Sequence, residues 1–358
     1  MFLIRADGNA EIGVGHVMRC LSIADALKEK NKEVVFAAAD CNMKTVIESR
    51  GFSCIVLDSD YKNMMSDFDK GTFEDIINQS ESVIVDGYYV SNEYFNRIRE
   101  VRKNNNNAEY KIIYVDDLCE KAYPVDVLIN YNIYADTEKY KLLYATIENQ
   151  SVSTTFIIGS EYVPLRKEFY NIKKTTIKEK ATDVLIMTGG ADMYHVSLNL
   201  VKALKKIAFG NNTKLKDIRF HFVIGAMSGD YSSILNELAV SKNIMVHKDV
   251  KDIWILMSSC DIAVSAAGTS LYELCACGVP TITYVLADNQ VNAEKAFMDN
   301  KAMLSIGDIR VEKNYCEKII TAVTDLAEDV TLRKRLADGE TSITDGSGAS
   351  KLADLLIR

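Results

Sequence analysis

Short apolar runs recur along the chain, and most are followed by a stretch in which apolar positions repeat with helical spacing. In the first half the runs lie at residues 2–5, 33–39, 52–57, 82–86, 111–116 and 125–130. Helical patterns fall at 16–30, 73–79 and 92–103. The runs are near-continuous Val, Ile and Leu rather than alternating, which is the pattern of strands buried on both faces of a parallel sheet. The polar run 104–107 predicts a loop between a helix and a strand. After a polar stretch at 173–182 a second series begins. Its strands are expected at 183–187, 219–224, 243–247, 261–265 and 281–285, with helices at 196–208, 232–240, 251–258 and 270–277. Gly278-Val279-Pro280 is a helix stop, glycine near C′ and proline just beyond. A last short helix is expected at 349–357, able to pack on either half.

The pattern therefore predicts two α/β halves: an N-terminal Rossmann-like domain at 1–175, a C-terminal one at 176–343, and a C-terminal helix at 344–358. No repeat of 20–50 residues is present. In open parallel sheets ligands bind beyond the carboxyl ends of the strands, where the strand order reverses. With two such sheets the expected site is a central cleft.

Composition narrows the classes. The 358 residues suit two domains at ~150 residues each, and 48% hydrophobic with 26% charged residues is a soluble globular composition. A net charge of −8 argues against nucleic acid as partner. The basic runs Lys173-Lys174 and Arg333-Lys334-Arg335 are flanked by acids and read as solvated faces. No apolar run approaches the ~20 residues that span a bilayer, and Met1-Phe2-Leu3-Ile4 meets Arg5 and Asp7 too soon for a signal peptide. A cytoplasmic protein without stable membrane association is expected. Eight cysteines without a C-x-x-C pair and four scattered histidines predict core thiols, no metal and no cofactor. The sequons at Asn149 and Asn211 then read as chance matches.

Five segments carry candidate chemistry. In Arg5-Ala6-Asp7-Gly8-Asn9-Ala10-Glu11-Ile12-Gly13-Val14-Gly15-His16 a strand ends, a glycine-rich loop follows and a helix starts near His16. Gly13 and Gly15 permit a tight turn and close approach of a ligand. A helix start favours an anion, and a neutral imidazole there is a general base. A loop with a capping histidine explains the same residues. Asp86-Gly87-Tyr88-Tyr89 closes another strand, where the tyrosines equally suit covering a sheet edge. Asp116-Asp117 offers a similar pair, which a helix cap also explains. In the second half Thr188-Gly189-Gly190-Ala191-Asp192 and Ser265-Ala266-Ala267-Gly268-Thr269-Ser270-Leu271-Tyr272-Glu273 are strand-to-helix turns whose amides suit a diphosphate. Glu273 is placed to accept ribose hydroxyls, and Ala287-Asp288-Asn289-Gln290 is a polar loop after a strand. His195 reads as a cap, and His221 and His247 as satisfied core residues.

Together these segments resemble the PseG/SpsG family of UDP-sugar hydrolases, which is similar to the glycosyltransferase MurG and shares its two-domain GT-B architecture. The matching pieces are Arg5-Ala6-Asp7, Gly13-x-Gly15-His16-x-x-Arg19, Asp86-x-Tyr88, Leu128-Ile129-Asn130-x-Asn132-x-Tyr134, Gly159-x-x-Tyr162, Leu165-Arg166-x-Glu168-Phe169, Gly189-Gly190-x-Asp192 and Asp345-Gly346-x-Gly348-Ala349. They run in order across almost the whole chain. Gly87 departs from the pattern, since a histidine is familiar there. The resemblance implies hydrolysis of UDP-2,4-diacetamido-2,4,6-trideoxy-β-L-altropyranose to UDP and free sugar, in pseudaminic acid biosynthesis and without a metal. It implies His16, Tyr88 and Asn289 as catalytic, and Arg5, Asp7, Gly13, Gly15, Arg19, Asp86 and Gln290 as substrate-binding. Gly189, Gly190, Gly268, Thr269, Ser270 and Glu273 would hold the nucleotide. The competing readings are a MurG-like glycosyltransferase acting on a UDP-sugar donor, a nucleotide-sugar epimerase of the same fold, and a binding protein without turnover. No Lys/Arg-rich amphipathic stretch favours a membrane-facing transferase.

Overall fold

The computed structural model describes residues 1–9, 11–103, 110–145, 153–172, 176–208, 215–225, 228–238 and 243–358. The expected loop at 104–107, the sequons at Asn149 and Asn211, the pair Lys173-Lys174 and the end of the helix expected to reach residue 240 lie outside the described residues. The chain forms two compact units: Met1–Lys167 with Ser347–Arg358, and Glu168–Gly346. The change of unit after Lys167 stands ahead of the boundary expected at 175/176, and the C-terminal segment is part of the first unit rather than a separate piece.

The first unit is built on β1 (Phe2–Ala6), β2 (Val34–Ala38), β3 (Ser53–Val56), β4 (Ser82–Asp86), β5 (Lys111–Val115), β6 (Val127–Asn130) and β7 (Thr155–Ile158). These make one parallel sheet in the order β3-β2-β1-β4-β5-β6-β7. The strand order reverses between β1 and β4, whose register sets Ala6 level with Asp86. Every residue of β1 and β4 is buried, as their continuous apolar runs require. One face of the sheet is filled by Val83, Val85, Ile112, Phe95, Ile98 and Tyr94. The C-terminal helix Gly348–Leu356 packs on the helix Gly15–Glu29, burying Leu352, Ala353 and Leu356.

The second unit carries β8 (Asp183–Met187), β9 (Arg219–Ile224), β10 (Ile244–Lys248), β11 (Ile262–Ala266), β12 (Thr281–Val285) and β13 (Met303–Asp308). They too are parallel, in the order β10-β9-β8-β11-β12-β13, with the reversal between β8 and β11. Val184, Ile186, Phe222, Val264, Ile282 and Val323 sit in its core.

Two strands escaped the sequence pattern, and both are edge strands. β7 is four residues long and β13 mixes Ser, Gly and Asp among its apolar positions, so neither reads as a buried run. The expectation that Arg333 lies on a solvated face is corrected. It is fully buried, and its guanidinium donates to the carbonyls of Leu326 (2.5 Å), Ala327 (2.6 Å), Lys178 (2.7 Å) and Glu179 (3.0 Å). It thus satisfies carbonyls at the end of the helix Tyr315–Glu328 that have no intrahelical partner. Lys334 and Arg335 are exposed as expected. Among the described residues no helix is long and apolar enough to cross a membrane.

Candidate active site

In the first unit the predicted residues converge where the strand order reverses. The loop after β1 turns through Gly13, whose φ of +75° is the left-handed region glycine tolerates. The helix then starts at Gly15 with no side-chain cap. His16, Arg19 and Cys20 are spaced three and four residues apart and so share one helix face. That face meets Asp86 at the end of β4. His16 Nδ1 lies 2.6 Å from Asp86 Oδ1. Arg19 forks onto the same carboxylate, Nε to Oδ2 and Nη2 to Oδ1, both at 2.5 Å. The Cys20 thiol donates to Oδ2 at 3.4 Å.

Arg19 Nη2 and His16 Nδ1 are 3.0 Å apart. Guanidinium nitrogens only donate and an ionised carboxylate only accepts, so Nδ1 faces one donor and one acceptor. The shorter contact, 2.6 Å to the Asp86 carboxylate, favours Nδ1 carrying its proton toward Asp86, with Arg19 Nη2 beside it as a second donor to Oδ1. No described residue is hydrogen-bonded to Nε2. Burial pushes the Asp86 carboxyl up, but Arg19 and His16 outweigh it by charge and hydrogen bonding and hold it well below the usual carboxylate range. Tyr88 stands edge-on to the imidazole, ring centres 4.5 Å apart at 80°. Tyr88 is 42% exposed, and desolvation of its phenol together with the Asp117 carboxylate pushes it up to about 12.

Arg5 and Asp7 belong to a second network. Arg5 is fully buried; it donates to Asp67 through Nε (2.7 Å) and Nη2 (3.1 Å) and to Asp7 through Nη1 (2.5 Å). Asp67 also accepts from Tyr94 and Ser59, and Asp7 from the Ala39 amide at 2.7 Å. These contacts fix the loop after β1.

In the second unit Gly189, Gly190, Gly268, Thr269, Ser270, Asn289 and Gln290 follow the carboxyl ends of the adjacent strands β8, β11 and β12. The two helix starts differ. Asp192, buried and at positive φ, accepts from the amides of Val196 (2.8 Å) and Ser197 (2.9 Å). The first amides of that helix are therefore already matched to a carboxylate. His195, expected as the cap, is exposed and sits against Asp230 at 2.7 Å instead. At the helix Ser270–Cys277 the N-cap Thr269 is exposed and makes no side-chain cap bond, and Glu273 lies half-buried in the first turn. Asn289 is exposed, while Gln290 Oε1 accepts from the Leu286 amide. His221 and His247 are half-buried, stacked ring on ring at 5.4 Å, and bonded to Asp183 through His221.

Sequence reasoning named Asp117 only as half of a strand-end pair that a helix cap also explains, and passed over Tyr131; both bind Arg19 Nη1 at 2.7 Å. The signal was the Asp116-Asp117 pair at a strand end. Asp116 alone satisfies the turn, accepting from the Leu118 and Cys119 amides, which leaves Asp117 for Arg19. Among the described residues no group of three His, Cys, Asp or Glu side chains is placed to hold a metal ion.

Two parallel Rossmann-like sheets of this kind are the GT-B fold. The chain aligns over 99% of its length with 99% of MurG from Acinetobacter baumannii, with a TM-score of 0.66 at 13% identity. It also aligns over all of its length with 98% of the glycosyltransferase VinC in complex with dTDP, at a TM-score of 0.58 and 11% identity. Within that fold its sequence is similar to the spore coat polysaccharide biosynthesis protein SpsG of Bacillus subtilis, 23% identical over 356 residues, 99% of this chain and 96% of that protein. It is 26% identical over 209 residues to the UDP-2,4-diacetamido-2,4,6-trideoxy-β-L-altropyranose hydrolase of Campylobacter jejuni, covering 57% of this chain and 65% of that one. An uncharacterized Methanocaldococcus jannaschii protein, MJ1062, is 26% identical over 301 residues, 81% of this chain but only 56% of its own length. The resemblance to SpsG and the hydrolase read from the motifs is thus borne out. No protein-family profile matches the chain.

Proposed function

We propose that the chain hydrolyses a UDP-activated diacetamido-trideoxy sugar, of the kind named for the Campylobacter relative, to UDP and the free sugar. This would supply a sugar to nonulosonic acid biosynthesis. The observation that carries the reading is the His16–Asp86 pair at the strand-order reversal, with Nε2 bonded to no described residue. Asp86 fixes the tautomer, as an acid does for the histidine of a hydrolytic triad. Nε2 takes a proton from water while the water oxygen bonds to the anomeric carbon. The bond from that carbon to the diphosphate oxygen breaks, and its electron pair leaves with UDP. The Tyr88 ring, edge-on to His16, stands by the sugar as positive charge develops on it; the family resemblance adds Asn289 to the catalytic set.

The second unit carries the nucleotide in this reading. The amides at Gly268, Thr269 and Ser270 meet the diphosphate, with Gly189 and Gly190 beside it and Glu273 at the ribose. Gly13 and Gly15 leave the loop after β1 open to the sugar, and the family resemblance adds Asp7 and Gln290 to the substrate-binding set. Arg5, Arg19 and Asp86 act on the site from behind, because their polar atoms are engaged by protein groups. A MurG-like transferase would use the same base on an acceptor hydroxyl, and the GT-B neighbours favour keeping that second reading.

The test is UDP release from the diacetamido-altrose donor with no acceptor present. Release by the wild type, reduced about 10²–10⁴-fold by His16→Asn, is the expected result. UDP binding without release, followed by turnover once an acceptor is added, would establish the transferase instead.

A further inference from the structure

Asp117 has no part in the reaction as described, yet it ends a continuous chain of contacts that begins at the base. Its Oδ2 accepts from Arg19 Nη1 at 2.7 Å and its Oδ1 from Asn132 at 3.1 Å. The other face of the Arg19 fork holds both oxygens of Asp86, and Asp86 Oδ1 meets His16. Three segments that are remote in sequence supply the links: the loop after β5, the helix Gly15–Glu29 and the end of β4. Arg19 and Asp117 are nearly enclosed, with side chains 11% and 14% exposed, so these charges interact more strongly than on an open surface.

The charge arithmetic gives the chain a direction. Facing His16 directly are Asp86, Arg19 and the Tyr88 ring. Behind them stand the Cys20 thiol on Asp86, and Tyr131 and Asp117 on Arg19. Asp86 and Arg19 alone sum to zero, so a full Arg19 fork would cancel the carboxylate that His16 meets. Asp117 brings the set to −1, which becomes zero when the imidazole takes a proton. It also anchors the guanidinium by its far nitrogen, so that Arg19 Nη2 and His16 Nδ1 can share Asp86 Oδ1 as two donors.

We propose that Asp117 is a positioning residue that acts through Arg19 and Asp86 to keep the His16 imidazole protonated on Nδ1 and open at Nε2. The proposal rests on His16 being the base, and its test reads the imidazole separately from turnover. The full chain, labelled with ¹⁵N, has four histidines, and the His16 signals are those lost in His16→Asn. In the wild type at pH ~8 the two-bond ¹H–¹⁵N spectrum shows His16 as the Nδ1–H tautomer. In Asp117→Asn the Nε2–H tautomer grows to roughly a third or more. The rate of UDP release at saturation falls about 10–100-fold with KM within about twofold, a partial loss of base catalysis. Asp117→Glu regains the Nδ1–H tautomer.

An unchanged His16 spectrum in Asp117→Asn overturns the proposal: with a raised KM Asp117 touches substrate, and with only a lower Tm it is structural. Should the wild type release no UDP, the hydrolase reading fails while the tautomer comparison still decides the role of Asp117.

Discussion

Burial and charge oppose each other at the carboxylates of this protein, and the partner set decides which prevails. At Asp86 the Arg19 fork and His16 overcome desolvation. Asp183, at the start of β8, is likewise raised by burial but lowered further by hydrogen bonds from Arg219, His221 and Thr182, ending at about 2. Both folded values lie below the unfolded ones. The stability they contribute is therefore fully present above pH ~4 and is lost as pH falls through the folded values. For Asp183 the shift corresponds to at most about 2 kcal/mol, less because Arg219 is largely exposed and screened. Urea midpoints measured at pH 7, 4 and 2.5 are expected to fall between the last two, and Asp183→Asn to flatten part of that fall. Equal slopes in wild type and variant would mean that Asp183 is no better bonded in the folded chain than in the unfolded one.

Among the elements, the loops at the strand ends depend on neighbours that carry no chemistry. Gly225, just after β9, lies under the turn at Gly189–Gly190. A Cβ there would stand 2.3 Å from the Gly190 carbonyl oxygen and 2.5 Å from that of Gly189. Both are backbone atoms, so the turn itself has to shift. Gly225→Ala is expected to cost about 1–3 kcal/mol of stability as overpacking and to weaken UDP binding, read by calorimetry, by about tenfold or more. Gly229→Ala, with open space around it, is the control. Undiminished UDP affinity in Gly225→Ala would remove Gly189 and Gly190 from the nucleotide site. The central strands were legible in the sequence because burial on both faces leaves an uninterrupted apolar run. β7 was not because it is only four residues long, and β13 was not because Ser, Gly and Asp interrupt it, whereas the edge strands β3 and β10 kept runs that could be read. The loop from Arg5 to His16 was legible from its glycines and its helix start. Asp117 was not, because its meaning comes from β5 lying beside β4, a neighbourhood that no local spacing encodes. Arg5 was legible as important but not as buried, since an arginine in a strand shows its fork partners only after Asp67 has been brought to it.

On the scale of the whole chain, the sequence enters the second unit at Glu168 and returns to the first at Ser347. The motif Asp345-Gly346-x-Gly348-Ala349 now has a packing reason. Gly346, at φ +79°, would place a Cβ 2.2 Å from the Phe169 carbonyl oxygen, and Gly348 one 2.2 Å from that of Val163. Each glycine lets the returning chain lie against the segment by which it left, one inside each unit. The helix that follows is the last piece of the first unit and covers the helix Gly15–Glu29 on which His16 and Arg19 stand. Leu352 is its fully buried anchor. Leu352→Ala is expected to cost the first unit about 2–5 kcal/mol, a transfer loss plus a cavity. In scanning calorimetry the transition of the first unit should move to lower temperature while that of the second stays in place. The site should weaken with it, because a loosened helix no longer holds His16 and Arg19 together on Asp86. UDP release should therefore fall before the protein unfolds, whereas UDP affinity, assigned to the second unit, should hold. A single transition that shifts as a whole would instead mean that the two units unfold as one, and that the C-terminal helix stabilises both.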